Sequence, residues 1–311
     1  TTLMLSRIAE SLFWVGRYME RAEDTARILD VHVHHLLEDP WVDEDAACRA
    51  LLAVMSAKVP DAPIDGPSVT RLLAFDTTSS SSIVGSLRAA REGARGAREA
   101  ISSEMWECLN ATFNAIPAQV GAAHTFGPHQ FFDWVKERSA ILVGLADATL
   151  SRDDGWRFLM LGRQLERVDM TARLLSARFA DASTSPEWVT TLRCCSAHEA
   201  YLRTYRRAVD ASLVAEFLLL DRLFPRSVFR ALTEAERCLA DLDPHPTRAG
   251  PEEEARRILG RARTDLEFRR VGELLADLPA HLRTLQGACA QASEAVARRY
   301  FRQTAATSWS A

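Results

Sequence analysis

The chain has 311 residues, 47% hydrophobic and 26% charged, with a formal net charge of −4. That composition can bury a sizeable core, and the mild acidity argues against a general nucleic-acid partner. No window approaches the ~20 apolar residues of a membrane span, and the N-terminus lacks the pattern of an export signal, so a soluble, cytoplasmic protein without a membrane partner is expected.

In chain order the elements are helices. Residues 3–38 are expected as one long helix, with Leu12, Val15, Met19, Ala22, Ala26 and Leu29 as its core stripe. Asp39-Pro40 ends it, because the residue before a proline is pushed out of the helical region. A shorter helix fits 44–58, and the stretch 59–67, with three prolines and a glycine, reads as a loop. The Thr77–Ser82 run is expected as a loop in which Ser81 or Ser82 caps the next helix. Residues 83–114, free of proline, read as one long helix, and Pro117–Pro128 as a second loop. Helices then fit 130–150, 153–180, 186–209 with a break near Ser196, 212–223, 226–241, 252–263 and 266–302. Pro225 suits a turn, Pro244–Pro251 a loop, and 303–311 a patternless tail. Alternating strand patterns bounded by hairpin turns are absent, so the fold class is all-α, in bundle-like layers.

A repeat stands out. Residues 16–29 and 162–175, offset by 146, share eight of fourteen positions around Gly-Arg-x-x-Glu-Arg. The core stripe repeats as Phe158, Leu161, Leu165, Val168, Ala172 and Leu175. At an offset of 145, Asp76, Ser82, Ile83, Leu87 and Ala90 match Asp221, Ser227, Val228, Leu232 and Ala235. Two matches in the same order point to internal duplication, with halves 1–150 and 151–302 forming one globular unit and partly superposing.

Glu20 and Glu166 are the candidate catalytic residues. Arg17, Arg21, Glu23 and Arg27, their counterparts Arg163, Arg167, Asp169 and Arg173, and Arg226 at the Phe224-Pro225 corner are candidate substrate-binding residues. Glu with Arg three, four or seven positions away can pair within one helix. Two such helices packed across a pseudo-two-fold would pool these charges. The pool could bind a carboxylate or phosphate bidentately, or hold a carboxylate of shifted pKa for proton transfer. A structural salt-bridge network fixing helix register accounts for the same residues. Gly16 and Gly162 cost ~1 kcal/mol against alanine within a helix, which suggests close helix approach or backbone offered to a ligand.

The cysteines Cys48, Cys108, Cys194, Cys195, Cys238 and Cys289 form no Cys-x-x-Cys pair and read as reduced, mostly buried thiols. Lys58 and Lys136 are the only lysines. A GC-rich genome explains the arginine bias, as would a need for bidentate contacts. No Glu-x-x-His lies in the repeats and no phosphate loop or nucleotide fingerprint is present, so neither metal nor cofactor is expected. His32, His34, His35 and Glu38 form a weak alternative ligand set beside a helix end. His198-Glu199 with Tyr201, Arg203 and Tyr205 reads first as packing with exposed polar tips.

The stretch 4–27, Ser103-Glu-Met-Trp-Glu, Gly155-Trp-Arg-Phe-Leu, the second Gly-Arg-x-x-Glu-Arg and Phe224-Pro-Arg-Ser-Val together resemble the bacterial alpha-E family, over essentially Met4 to Phe301. The Thr77–Ser82 run departs from the proline-containing pattern of that family's corner. The resemblance implies a gene beside, or fused to, a circularly permuted ATP-grasp-type ligase, often with a transglutaminase-like protease. The expected function is therefore a helical partner or subunit of an amide or peptide ligase system, docking with the ligase or processing its substrate or product. A stand-alone enzyme using Glu20 and Glu166 on a small peptide or amino-acid conjugate is the alternative, and a non-catalytic scaffold a third. A polar pocket containing both acids would favour the enzyme, and an exposed apolar patch the partner.

Overall fold

The computed structural model describes residues 6–38, 41–180, 186–243 and 250–301. Among them lie fourteen α-helices and no strand. The first seven are α1 (Ser6–Glu38), α2 (Glu44–Val54), α3 (Gly66–Thr70), α4 (Ile83–Gly96), α5 (Ser103–Phe126), α6 (His129–Thr149) and α7 (Asp154–Ala180). The rest are α8 (Pro186–Cys194), α9 (His198–Tyr205), α10 (Ala211–Leu220), α11 (Val228–Leu242), α12 (Glu254–Phe268), α13 (Val271–Ala276) and α14 (Leu278–Tyr300).

The apolar stripes of α1 and α7 are buried along their length, as their spacing requires. These two helices form the central pair. Helices α4 and α6 pack on α1, and α5 closes that ring by packing on both. In the same manner α11 and α14 pack on α7, and α12 packs on both. Two four-helix rings are thus joined through α1 and α7. The short helices cross over: α2, from the first ring's sequence, packs on α7, and α8 packs on α1.

Several boundaries differ from expectation. Pro67 opens a helix instead of closing a loop: Asp65 accepts a hydrogen bond from Ser68 N at 2.9 Å, and proline in a first turn forfeits only an amide that has no helical partner. The span 83–114 is two helices. Ile101 is extended, and Ser102 restarts the chain by accepting from Met105 N at 3.1 Å. Pro117 lies inside α5, which continues to Phe126 because Ile116 and Ala123 bury against its neighbours; Gly127, at φ 92°, ends it. The span 266–302 breaks after Phe268 and again at Asp277, which caps α14 with Pro279 in its first turn. The break near Ser196 is present, with that residue at φ 53°. Asp39-Pro40, residues 244–249 of the Pro244–Pro251 loop, and the tail 303–311 lie outside the described residues.

Candidate functional site

The two Gly-Arg-x-x-Glu-Arg segments meet where α1 crosses α7. A Cβ on Gly16 would stand 2.0 Å from the Leu159 carbonyl oxygen, and one on Gly162 would stand 2.0 Å from that of Phe13. Leu159 and Phe13 are themselves related by the 146-residue offset, so the contact is reciprocal, as across a two-fold axis. Each glycine lets the other helix's backbone lie directly against it.

That approach brings each glutamate between the arginines of the opposite motif. Glu166 accepts from Arg17 Nε at 2.7 Å, from Arg21 Nε at 2.6 Å and from Arg21 Nη2 at 3.1 Å. Glu20 accepts from Arg163 Nε at 2.7 Å and from Arg167 Nε and Nη2 at 2.7 and 3.0 Å. Of the two arrangements the spacing allows, both acids take the one between helices, and neither pairs within its own helix. The i,i+4 pairs are Glu23 with Arg27 and Asp169 with Arg173. Glu20 and Glu166 are only 1% and 3% exposed.

The two ends of this lock differ. At the Glu20 end, Arg226 reaches in from the corner before α11, with Nη1 3.1 Å from Glu20 and 2.5 Å from Asp24, and Nη2 on Glu23. Arg167 Nη1 donates to Pro225 O at 3.1 Å, and Ser139 donates to Glu23 at 2.9 Å. At the Glu166 end the position of Asp24 is Met170 and that of Arg226 is Ser81. Arg17 Nη1 instead donates to Ser293 at 2.9 Å. A cavity of about 520 Å³ opens there, lined by Arg17, Asp169 and Arg173 among others.

Glu20, Glu166, Arg17, Arg21, Glu23, Arg163, Arg167 and Arg226 therefore gather at the crossing, while Arg27 and the Asp169–Arg173 pair lie along its flanks. Asp24, Ser139 and Ser293 also belong there; Asp24 faces Met170 in the second segment and the two serines lie outside both matched segments, so the repeat does not mark them. The corner before each ring's second long helix is built alike. Ser82 donates to Asp76 O and accepts from Gly85 N at 2.9 Å; Ser227 donates to Asp221 O and accepts from Arg230 N at 3.1 Å. Ser82, not Ser81, is the cap. Arg27 and Arg173 reach serines after the crossed-over helices, Ser196 at 3.3 Å and Ser56 at 2.5 Å. Tyr201 is fully buried against Tyr205 and Phe217.

Burial alone would raise the Glu20 carboxyl, but the charges of Arg167, Arg163 and Arg226 outweigh it and hold the group well below 4.5. Arg17 and Arg21 do the same for Glu166. Both acids stay ionised and are poorly suited to give up or take a proton near neutrality. Asp24 is the exception. Burial pushes it from 3.8 up to about 7, with Arg226 opposing and Glu20 and Glu23 adding to the rise.

The folded protein thus keeps a proton on Asp24 that the unfolded chain loses above 3.8. Stability falls as pH rises from about 4 to about 7, by at most ~1.4 kcal/mol per pH unit, and is level above. Glu20, Glu23 and Glu166, all lowered, act oppositely, costing stability as pH falls below 4.5. Urea melts across this range should show a maximum near about pH 5. Asp24→Asn should remove the slope on its alkaline side.

Among the described residues, Asp30, His34 and His129 are the group within mutual metal-ligand reach, and Lys136 Nζ lies 2.8 Å from the same Asp30 carboxylate. That ammonium would compete with a cation. His32 faces another environment: burial, His35 and Arg178 push it down to about 4.

The family model for Alpha-E, a predicted alpha-helical domain with a conserved ER motif, matches residues 4–301. The chain belongs to the Alpha-E family. In this Alpha-E chain, Glu20-Arg21 and Glu166-Arg167 are the Glu-Arg pairs at the crossing. Similar curated relatives are uncharacterized proteins of Mycobacterium bovis and Mycobacterium tuberculosis, each 26% identical over 279 residues, or 78% of this chain and 30% of theirs. The chain thus spans about 30% of the length of the relatives it matches. No solved structure matches it. Among the described residues no helix is long and apolar enough to cross a membrane, and all six cysteines are free and buried.

Proposed function

We propose that the chain is a helical subunit of an ATP-grasp-type amide-ligation system, docking with the ligase, and that its paired motifs are an internal lock, not the catalytic centre. The enclosure of Glu20 and Glu166 carries this choice: each is matched to arginines from the other helix, held ionised, and lines none of the larger cavities among the described residues. An acid–base enzyme would need a carboxyl open to substrate with a pKa near the working pH. Association with a ligase, and with a transglutaminase-like protease, rests on what the family resemblance implies. It is supported by the fact that in the curated relatives this domain is part of a longer polypeptide.

Docking is supported by an exposed apolar pair. Leu223 and Phe268 are 88% and 79% exposed, and an Arg222–Glu267 pair at 3.4 Å draws their segments together. The free, buried thiols favour a reducing cytoplasmic setting. We read the reciprocal contacts and the twin serine corners as the product of internal duplication.

Co-purification of the chain with the ligase encoded beside it, followed by an assay of ATP turnover with and without the chain, tests this reading. The expected result is a stable complex and chain-dependent turnover. Leu223→Asp with Phe268→Asp should release the ligase without changing the melting temperature. A ligase that neither binds the chain nor responds to it contradicts the proposal.

A further inference from the structure

We propose that the cavity at the Glu166 end of the lock binds an α-amino-acid zwitterion, either a free amino acid or a dipeptide. The proposal rests on the ligase-subunit reading for its biological sense, since amide ligation consumes such compounds, but its physical case is separate. The cavity, about 520 Å³, lies between α7, α14 and the end of α2. It falls within the ~300–1,000 Å³ typical of small-molecule sites. Arg17, Arg173, Asp169, Ser56, Ser176 and Ser293 supply its polar wall.

The counterpart region at the Glu20 end is closed by the protein's own side chains. There Glu23 accepts from Ser139 at 2.9 Å and is also held by Arg226, while Asp30 accepts from Lys136 Nζ at 2.8 Å. At the open end Asp30 is replaced by Ser176 and Asp24 by Met170, and Gln286 takes only a 3.3 Å contact to Ser176. Where the Lys136–Asp30 pair fills the space at one end, a cavity opens at the other.

The wall is also preset for a ligand of both charges. Arg173 is steadied by Ser56 at 2.5 Å and by Asp169 Oδ2 at 2.7 Å, and Arg17 by Glu166 at 2.7 Å and Ser293 at 2.9 Å. Nη2 of Arg17 and Oδ1 of Asp169 have no hydrogen-bond partner among the described residues. Guanidinium donors match a carboxylate, and the Asp169 oxygen matches an ammonium. Serine hydroxyls and the Gln286 amide can meet a peptide group. A phosphate would set two negative charges beside Asp169, with Glu166 close behind Arg17, and is disfavoured.

Titration calorimetry on the purified chain tests this, with glycine, L-glutamate and L-alanyl-L-alanine as zwitterions. Acetate and methylammonium serve as half-ligands, and inorganic phosphate as the competing anion. A zwitterion is expected to bind, with both half-ligands and phosphate at least about tenfold weaker. Asp169→Asn and Arg173→Gln should each weaken it about tenfold or more. Ser176→Leu, which fills the cavity without touching an ion pair, should abolish binding while the unliganded melting temperature stays within a few degrees. Phosphate binding in preference to zwitterions overturns the assignment, as does zwitterion binding that survives Ser176→Leu, or no binding by any probe. A chain that docks with the ligase yet binds no probe overturns only this inference; one that binds a zwitterion yet ignores the ligase overturns only the subunit reading.

Discussion

Glu166→Gln should cost about 3–5 kcal/mol of stability, because it leaves Arg17 and Arg21 partly buried without a counter-charge. For a chain of this size that is a fall in melting temperature of roughly 5–15 °C. Glu20→Gln should cost less, although Glu20 has the larger set of partners. Asp24 sits on the same Arg226 guanidinium at 2.5 Å, and the Glu20 charge helps keep it protonated. Once Glu20 is neutral, Asp24 can ionise and return the missing charge. No such reserve exists at the Glu166 end, where the corresponding residue is Met170. Thermal melts of the two variants at neutral pH check the order. The ligase assay run in parallel separates a lock from a catalytic site: activity should fall only in step with melting. Activity lost at unchanged melting would restore Glu20 and Glu166 as catalytic residues.

Gly162→Ala should be more damaging still. Helix propensity by itself favours the change by ~1 kcal/mol. The new methyl, however, would stand 2.0 Å from the Phe13 carbonyl oxygen and 2.9 Å from its carbon, both of them backbone atoms that no rotamer can move. Relief requires α1 and α7 to part, which lengthens the Glu–Arg contacts on both sides at once. A loss of more than about 4 kcal/mol, or failure to fold, is expected. Gly144→Ala, in α6, is the internal control. Nothing lies within 4 Å of its would-be Cβ, so it should hold or raise stability, by up to about 1 kcal/mol. Opposite signs at two helical glycines are a readout that propensity cannot produce.

The all-α class, the long central helices and the motif residues were legible because they depend on local periodicity. The stripes of α1 and α7 needed only a count of three and four. Helix breaks within long apolar-periodic stretches were not. Ser102 and Asp277 restart helices as N-caps, and the local start signals there, Ser102-Ser103 and the proline two residues after Asp277, are hidden by a periodicity that runs on through them. Proline usually ends a helix, which makes 117–128 read as a loop, whereas packing on both sides of Pro117 carries α5 through it. At the site, intrahelical spacing gives the Glu23–Arg27 and Asp169–Arg173 pairs, and the repeat suggests charges pooled between two helices, but which arginine meets Glu20 or Glu166 depends on what the second helix presents. The sequence places Arg226 at the Phe224-Pro225 corner and among the binding candidates. Its reach of some 200 positions back to Asp24 became visible only when α11 was placed against α7.

Each motif's glutamate is held by arginines of the other motif, some 145 residues away. A double-mutant cycle on Glu166→Gln and Arg21→Gln, followed by urea unfolding, tests it most directly. Arg21 makes two of the bonds to Glu166, at 2.6 and 3.1 Å, so the two changes should be strongly non-additive, with a coupling energy of roughly 1.5–3 kcal/mol. Additivity within about 0.5 kcal/mol would mean that the two side chains do not meet, and the lock would not exist as described.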